Sequence, residues 1–390
     1  MFTRRLSVAI ASLLLGFISL SAQSVDVKVG DETIKITPMG RFYFDGAMYL
    51  DDETDLGNGV ALTDLRLGLK AKYKMFDIKA DIGFAGGKIG PKDIFLQYNL
   101  GKSSYIRGGH FAEPFGIDHM ESSANIKFIT ANATSFAFSP GRKVGVEYIG
   151  WNKYMWIGGG VFGDGDAMSN SVEGDDGYAV TGRWVFNPIR QEGKIFHIGL
   201  AGSYRKADAS GYDADGNQKP KTIGYSSSLI TNVEKRKFLN APITNADFQA
   251  KYAVELIGAY GPVHLQAEYF HSNVERKDDL PAYKASGAYA QIGFLAIGGN
   301  YTYSSSWARM GTPKPKSLEL AMRYNYTDLN DKNSGINGGR MSDWTFAANY
   351  YLNKYIMFRL DYSNVSLGNN NPLAAGENIN AIQARLQVVF

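Results

Sequence analysis

Apolar and polar side chains alternate one for one along almost the whole chain. In Leu65-Arg66-Leu67-Gly68-Leu69-Lys70 every second residue is apolar and those between are charged or small. An extended strand built this way offers one face to an apolar phase and the other to water. Phe248, Ala250, Tyr252, Val254 and Leu256 repeat the pattern against Gln249, Lys251 and Glu255, as do Leu318 to Tyr326 against Glu319, Arg323 and Asn325. The last segment alternates Ile382, Ala384, Leu386, Val388 and Phe390 with Gln383, Arg385 and Gln387, and the chain stops on an aromatic.

Segments of this kind run near 40–50, 61–73, 76–85, 91–100, 103–111, 143–150, 153–163, 177–186, 194–205, 247–259, 262–274, 285–295, 316–327, 342–352, 355–366 and 378–390, which predicts sixteen strands. Their connections alternate in size. One set is tight, as at Lys74-Met75, Gly101-Lys102, Trp151-Asn152, Tyr260-Gly261 and Asn353-Lys354; the other is longer, around 51–60, 112–142, 164–176, 206–246, 328–341 and 367–377. A soluble β-sandwich also alternates. Strands of about ten residues, one face nearly free of charge, and Tyr and Trp towards strand ends instead fit a transmembrane antiparallel β-barrel with short turns on one side and long loops on the other. An even strand count puts both termini on the side of the short turns. Residues 296–315 break the rule, because they fall on the short-turn side yet run about twenty residues; a hidden hairpin there would raise the count to eighteen.

Composition agrees with strands. The 390 residues are 13% aromatic and include 44 glycines, and mean hydropathy is −0.23, which suits half-buried strands and leaves no helical membrane spans. Residues 1–22 read as an export leader: Arg4 and Arg5 precede an apolar run from Leu6 to Leu20, and Ser19, Ser21 and Ala22 offer a cleavage site near Gln23. Residues 23–39 form a short N-terminal segment on the periplasmic side, too small to plug a barrel, and residues 40–390 form the barrel. Cysteine is absent, which excludes thiol chemistry and cysteine-bound metals. The five histidines, His110, His119, His197, His264 and His271, show no metal or triad spacing. No catalysis, cofactor, metal or nucleic-acid partner is expected. Gly158-Gly159-Gly160 lies in a strand, where it eases curvature and does not cradle a phosphate.

A sixteen-stranded barrel encloses water, so its inward side chains decide what it does. Alternation turns Arg41, Arg66, Lys70, Lys72, Lys79, Arg107, Lys143, Arg183, Arg205, Lys251, Arg323, Arg359 and Arg385 inward, against Asp45, Asp64, Asp77, Asp81, Asp93, Glu147, Glu255, Glu268, Glu319, Asp343 and Asp361. The signs nearly balance, which suits water-filled passage of small polar solutes, with a mild preference for anions if the basic residues cluster at the constriction. The third loop, 112–142, carries Phe115, Ile117, Ile126, Phe128, Ile129, Phe136 and Phe138 among few charges (Glu113, Asp118, Glu121, Lys127) and is expected to fold inward as a constriction, with Arg142 and Lys143 at its exit. The loop from Lys206 to Ala246, with Lys235-Arg236-Lys237, reads as a solvated outer loop; binding of a partner or of anionic surface glycans there is the alternative, which would make the chain an adhesion or assembly protein with a non-conducting lumen.

Several short runs, in order, resemble the phosphate-selective porin O and P family of Gram-negative outer membranes. They are Phe111-Ala112-Glu113-Pro114-Phe115-Gly116, Ser139-Pro140-Gly141-Arg142-Lys143-Val144-Gly145, Asn245 to Gln249, Gln266 to Phe270, Leu318 to Asn325, Asp328 to Asp331 and Gly338-Gly339-Arg340. The resemblance implies a sixteen-stranded barrel among outer-membrane lipid and lipopolysaccharide, homotrimers, an inward third loop and, in the best-known members, a basic ladder for phosphate or polyphosphate. By that likeness Arg142 and Lys143 are the first filter candidates, followed by Arg66, Arg107 and Arg41, with Lys127 on the loop itself. The sequence departs from the phosphate-specialised pattern in its acidic third loop and at Phe294 to Gly299, so the residues themselves ask only for a polar pore with a mild anion bias, phosphate being one candidate solute.

Overall fold

The computed structural model describes residues 23–50, 53–164, 174–207 and 209–390. The expected leader over 1–22 lies outside the described residues, as do parts of the loops at 51–60 and 164–176. Among the described residues sixteen antiparallel strands form a closed ring: Glu32–Leu50 (β1), Gly59–Tyr73 (β2), Phe76–Gly83 (β3), Gly90–Asn99 (β4), Ser104–Ala112 (β5), Arg142–Trp151 (β6), Met155–Gly163 (β7), Tyr178–Gln191 (β8), Lys194–Lys206 (β9), Ala246–Tyr260 (β10), Val263–Arg276 (β11), Tyr283–Ile297 (β12), Ser317–Asp331 (β13), Ile336–Tyr351 (β14), Ile356–Leu367 (β15) and Asn378–Val389 (β16).

Each strand pairs with its chain neighbours, and β1 closes on β16 from Arg41↔Val389 to Leu50↔Asn380. Reciprocal backbone bonds between Gly40 and Phe390, 2.9 and 3.0 Å, finish the seam. Closure leaves no open edge, which backbone in an apolar phase requires. Leu67, Leu69, Val146, Leu200 and Leu360 point outward and remain more than half exposed, the reverse of a soluble protein and the condition of a lipid-facing wall. At the N-terminus, Val25–Val29 folds back on Glu32–Ile36, so the first barrel strand starts earlier than the expected residue 40.

The third loop folds into the barrel and brings two short helices, Ile117–Met120 (α1) and Ala133–Phe138 (α2). A loop inside a barrel must find partners for its backbone, and the wall supplies them with side chains. Arg359 donates to the carbonyls of Ile126, Phe128 and Ala124 at 2.7, 2.9 and 2.9 Å. Arg323 donates to Thr130 O at 3.0 Å, Lys251 to Phe138 O at 2.9 Å, Asn349 to Lys127 O at 2.7 Å and Gln387 to Ala124 O at 2.9 Å. Asp361 accepts the Ile129 N–H at 2.7 Å, and Glu268 accepts those of Ile117 and Asp118 at 2.6 and 3.2 Å. The bend into α1 needs Gly116: its φ is 76°, and a Cβ would lie 2.9 Å from Glu268 Oε1.

Two further connections differ from the sequence expectation. The loop from 207 to 245 is not simply solvated. Its hairpin, Ile223–Ser228 with Lys237–Ile243, buries Tyr225, Leu229, Ile230, Phe238, Leu239 and Ile243 in the barrel mouth. Thr130 donates to Ile230 O at 2.8 Å and Gln383 to the same oxygen at 2.6 Å, so this loop sits directly on the third. The long turn after β12 adds no wall strands. It leaves the barrel at Gly298 and Gly299, with φ of 124° and 88°, and folds inward with a two-residue bridge, Tyr303–Ser304 to Arg309–Met310. There Arg309 bonds Glu121 at 2.7 Å, and Arg183 donates to Ala308 O at 3.0 Å. The third loop is therefore seated from outside, from inside and by the wall.

Candidate permeation pathway

Loops cover the wall from β9 to β16 and leave the opposite wall open. A cavity of about 960 Å³ runs between β1 to β6 on one side and the third loop on the other, reaching Thr37, Lys354 and Phe390 at the turn side. A second cavity, about 520 Å³, opens toward the outer loops at Gly86, Lys88 and Lys235. Thr63, Asp64, Arg66, Phe136 and Asn232 line both, which makes them the neck between the two.

Cations exceed carboxylates along this path. The larger cavity meets Arg41, Arg66, Lys70, Lys79, Arg107, Arg142, Arg309, Lys354 and Arg385 against Asp64, Asp81, Asp93, Asp118 and Glu121. Two of the acids on the open wall are held between bases: Asp64 lies 3.3 Å from Arg41 and 2.7 Å from Arg66, and Asp93 lies 2.5 Å from Lys79 and 2.8 Å from Arg142, whereas Asp81 meets Arg66 alone at 3.7 Å and Asp77 accepts from the Gln97 and Asn99 amides. Arg41 also donates to Ser122 and Ser123 of the third loop at 2.7 and 2.8 Å. Among the described residues no carboxylate comes within ion-pair distance of Lys70 or Lys92. The outer cavity adds Lys88, Lys92, Lys235 and Lys237 against Glu234. Arg236 forks onto Glu234 at 2.7 and 3.0 Å and holds its carboxyl down at about 2, so that acid is already neutralised.

Four of the six filter candidates therefore share one cavity: Arg41, Arg66, Arg107 and Arg142. Arg107 is nearly buried, ion-paired with Glu147 at 2.6 Å and 4.2 Å over the Phe111 ring, so it offers less to a solute than the others. The other two candidates line neither cavity. Lys143 turns to Asp164 at 3.3 Å, and Lys127 is buried against Glu319 at 3.2 Å because its stretch of loop lies on the β13–β14 wall. Strict alternation also misses Lys92. Ala80 pairs with Ile94 but Ile82 pairs with Pro91, a bulge that changes the parity of β4 and turns Lys92 into the outer cavity. Pro91 beside Gly90 was the signal for it.

The model of the family described as phosphate-selective porin O and P matches residues 43–390. The chain belongs to that family. This porin is 24% identical to Porin O of Pseudomonas aeruginosa over 329 aligned positions, which cover 73% of this chain and 70% of that protein. Among solved structures it resembles the anion-selective porin from Comamonas acidovorans, at 12% identity with TM-score 0.60, over 92% of this chain and 100% of that one. It also resembles the trimer form of OmpT from Vibrio cholerae, at 10% identity with TM-score 0.58, over 92% and 99%. The porin is thus a sixteen-stranded channel of the outer membrane, and its third loop occupies the lumen as the sequence led one to expect.

Proposed function

We propose that this porin passes small hydrophilic solutes passively and favours anions, along the wall of β1 to β6. The observation that carries the proposal is the arrangement of charge there: cations outnumber carboxylates along the larger cavity, Asp64 and Asp93 are each pinned between two bases, and among the described residues Lys70 and Lys92 have no carboxylate within ion-pair distance. Such a wall raises the local concentration of anions and lowers that of cations. The anion-selective porin of the same fold supports this reading. Phosphate passes as one anion among others: holding it dehydrated takes several cations converging on one point, whereas these are strung along the path and partly neutralised. Homotrimers are proposed on the likeness to the OmpT trimer, in lipid and lipopolysaccharide, after removal of residues 1–22 on export.

Proteoliposome swelling tests the pore itself. Vesicles carrying the purified porin should swell in small neutral sugars at a rate that falls with solute size. An adhesion protein with a closed lumen would leave them as impermeable as protein-free vesicles.

A further inference from the structure

Phe136 is out of place in a water-filled passage. Within α2 its neighbours Ala133, Thr134, Ser135, Ala137 and Phe138 are all buried, with Thr134 bonding Asn325 at 2.7 Å and Phe138 stacked on Phe270 at 6.2 Å between ring centres. Those residues seat the helix. Phe136 projects from the opposite face, 54% exposed, into the neck that both cavities share. The same neck is lined by Arg66, whose guanidinium forks onto Asp64, and by Asn232, and Lys92 lines the outer cavity. A second ring marks the inner side: Trp307, on the inward turn after β12, is 40% exposed, lines the larger cavity, and carries Arg309 at 5.6 Å from its ring centre.

A solute moving along this path meets an apolar ring and cations at the neck, and a second ring, Trp307, further in. Inorganic anions can use only the cations. A ring-bearing organic anion can also place its ring on Phe136 while its charge meets Arg66 or Lys92. We infer that the neck of this porin is a binding site for organic anions that carry a planar ring, of the aryl carboxylate class. This rests on the anion-pore reading and narrows it to a solute class. A ring contact of this kind corresponds to roughly two- to tenfold in affinity, enough to bias traffic without trapping the solute, as a conducting site requires.

The test uses the intact porin in planar bilayers carrying chloride current. Benzoate, acetate and inorganic phosphate are added in turn, and the concentration that halves the current is read for each. Benzoate should act at a concentration about two- to tenfold below acetate, with inorganic phosphate no better than acetate at equal charge. Phe136→Ser should abolish the difference between benzoate and acetate, and Phe136→Tyr should keep it. Retained mobility of the unheated barrel on gels certifies that each variant has folded. Equal potency of benzoate and acetate on the wild-type porin, or an undiminished difference in F136S, overturns the inference, and so does tighter block by inorganic phosphate than by benzoate. The reversal potential of the same wild-type channels separates the two readings: cation selectivity would mean that the anion pore has failed, whereas anion selectivity without a benzoate preference refutes the ring site alone.

Discussion

Replacing Arg359 by Met should loosen the third loop without opening the barrel. The guanidinium is almost fully buried and donates to three loop carbonyls, Ile126 and Phe128 through Nη1 and Ala124 through Nη2. Hydrogen bonds from a charged group contribute about 1.5–3 kcal/mol each, and losing them leaves buried acceptors unsatisfied. The three share one donor group, and the loop keeps its bonds to Gln387, Asp361, Arg323 and Asn349. The expected loss of docking free energy is therefore below the simple sum, about 3 kcal/mol, which raises the undocked fraction on the order of a hundredfold. Met fills much of the same volume and has no donor, and the pairings of β15 with β14 and β16 remain. Single-channel recording is the assay. R359M should show a larger, flickering conductance and weaker ion selectivity, while its barrel stays resistant to detergent until heated. Conductance and selectivity equal to those of the wild type would refute the argument that wall side chains hold the constriction.

The remaining expectations are narrower. Gly116→Ala forces a Cβ onto a residue with φ of 76° and against Glu268 Oε1; it should weaken the loop seat by about 1–3 kcal/mol, read as flicker like that of R359M and absent if the bend is not required. Glu234 accepts the Gly57 N–H at 3.3 Å and ties the first outer loop to the fifth. Because Arg236 depresses its carboxyl to about 2, the tie contributes above the ordinary carboxylate range and is lost as pH falls toward 2. The Gly57 amide should stay protected from hydrogen exchange from pH 7 down to about 4 and lose protection nearer 2, while E234Q should show no such step. A Gly57 amide already unprotected at pH 7 would refute the tie.

The wall was legible in the sequence because a membrane barrel imposes two constraints on every strand: alternation and length. Turn and loop sizes then set strand count and sidedness, and the inward third loop showed in its apolar residues. The purpose of individual charges was less legible. Arg323, Arg359 and Asp361 read as lumen-facing, but they bond loop backbone far away in the chain, and no local pattern announces such a partner. The hairpin of the fifth loop was missed because serines interrupt its apolar residues at Ser226, Ser227 and Ser228. The turn after β12 stood out in the sequence only by its length, which left an extra wall hairpin open and gave no sign that the segment folds inward. The lysines named as filter candidates, Lys127 and Lys143, found carboxylates, whereas Lys70, read only as inward, and Lys92, which alternation turned outward, did not.

The most direct test of an anion path along the open wall is the reversal potential across a planar bilayer in a potassium chloride gradient, for the porin and for the double variant Lys70→Glu with Lys92→Glu. The wild type should reverse on the side of chloride selectivity, and the variant should move toward potassium or past zero. A wild-type channel that selects potassium, or a variant whose reversal potential does not move, would contradict the account.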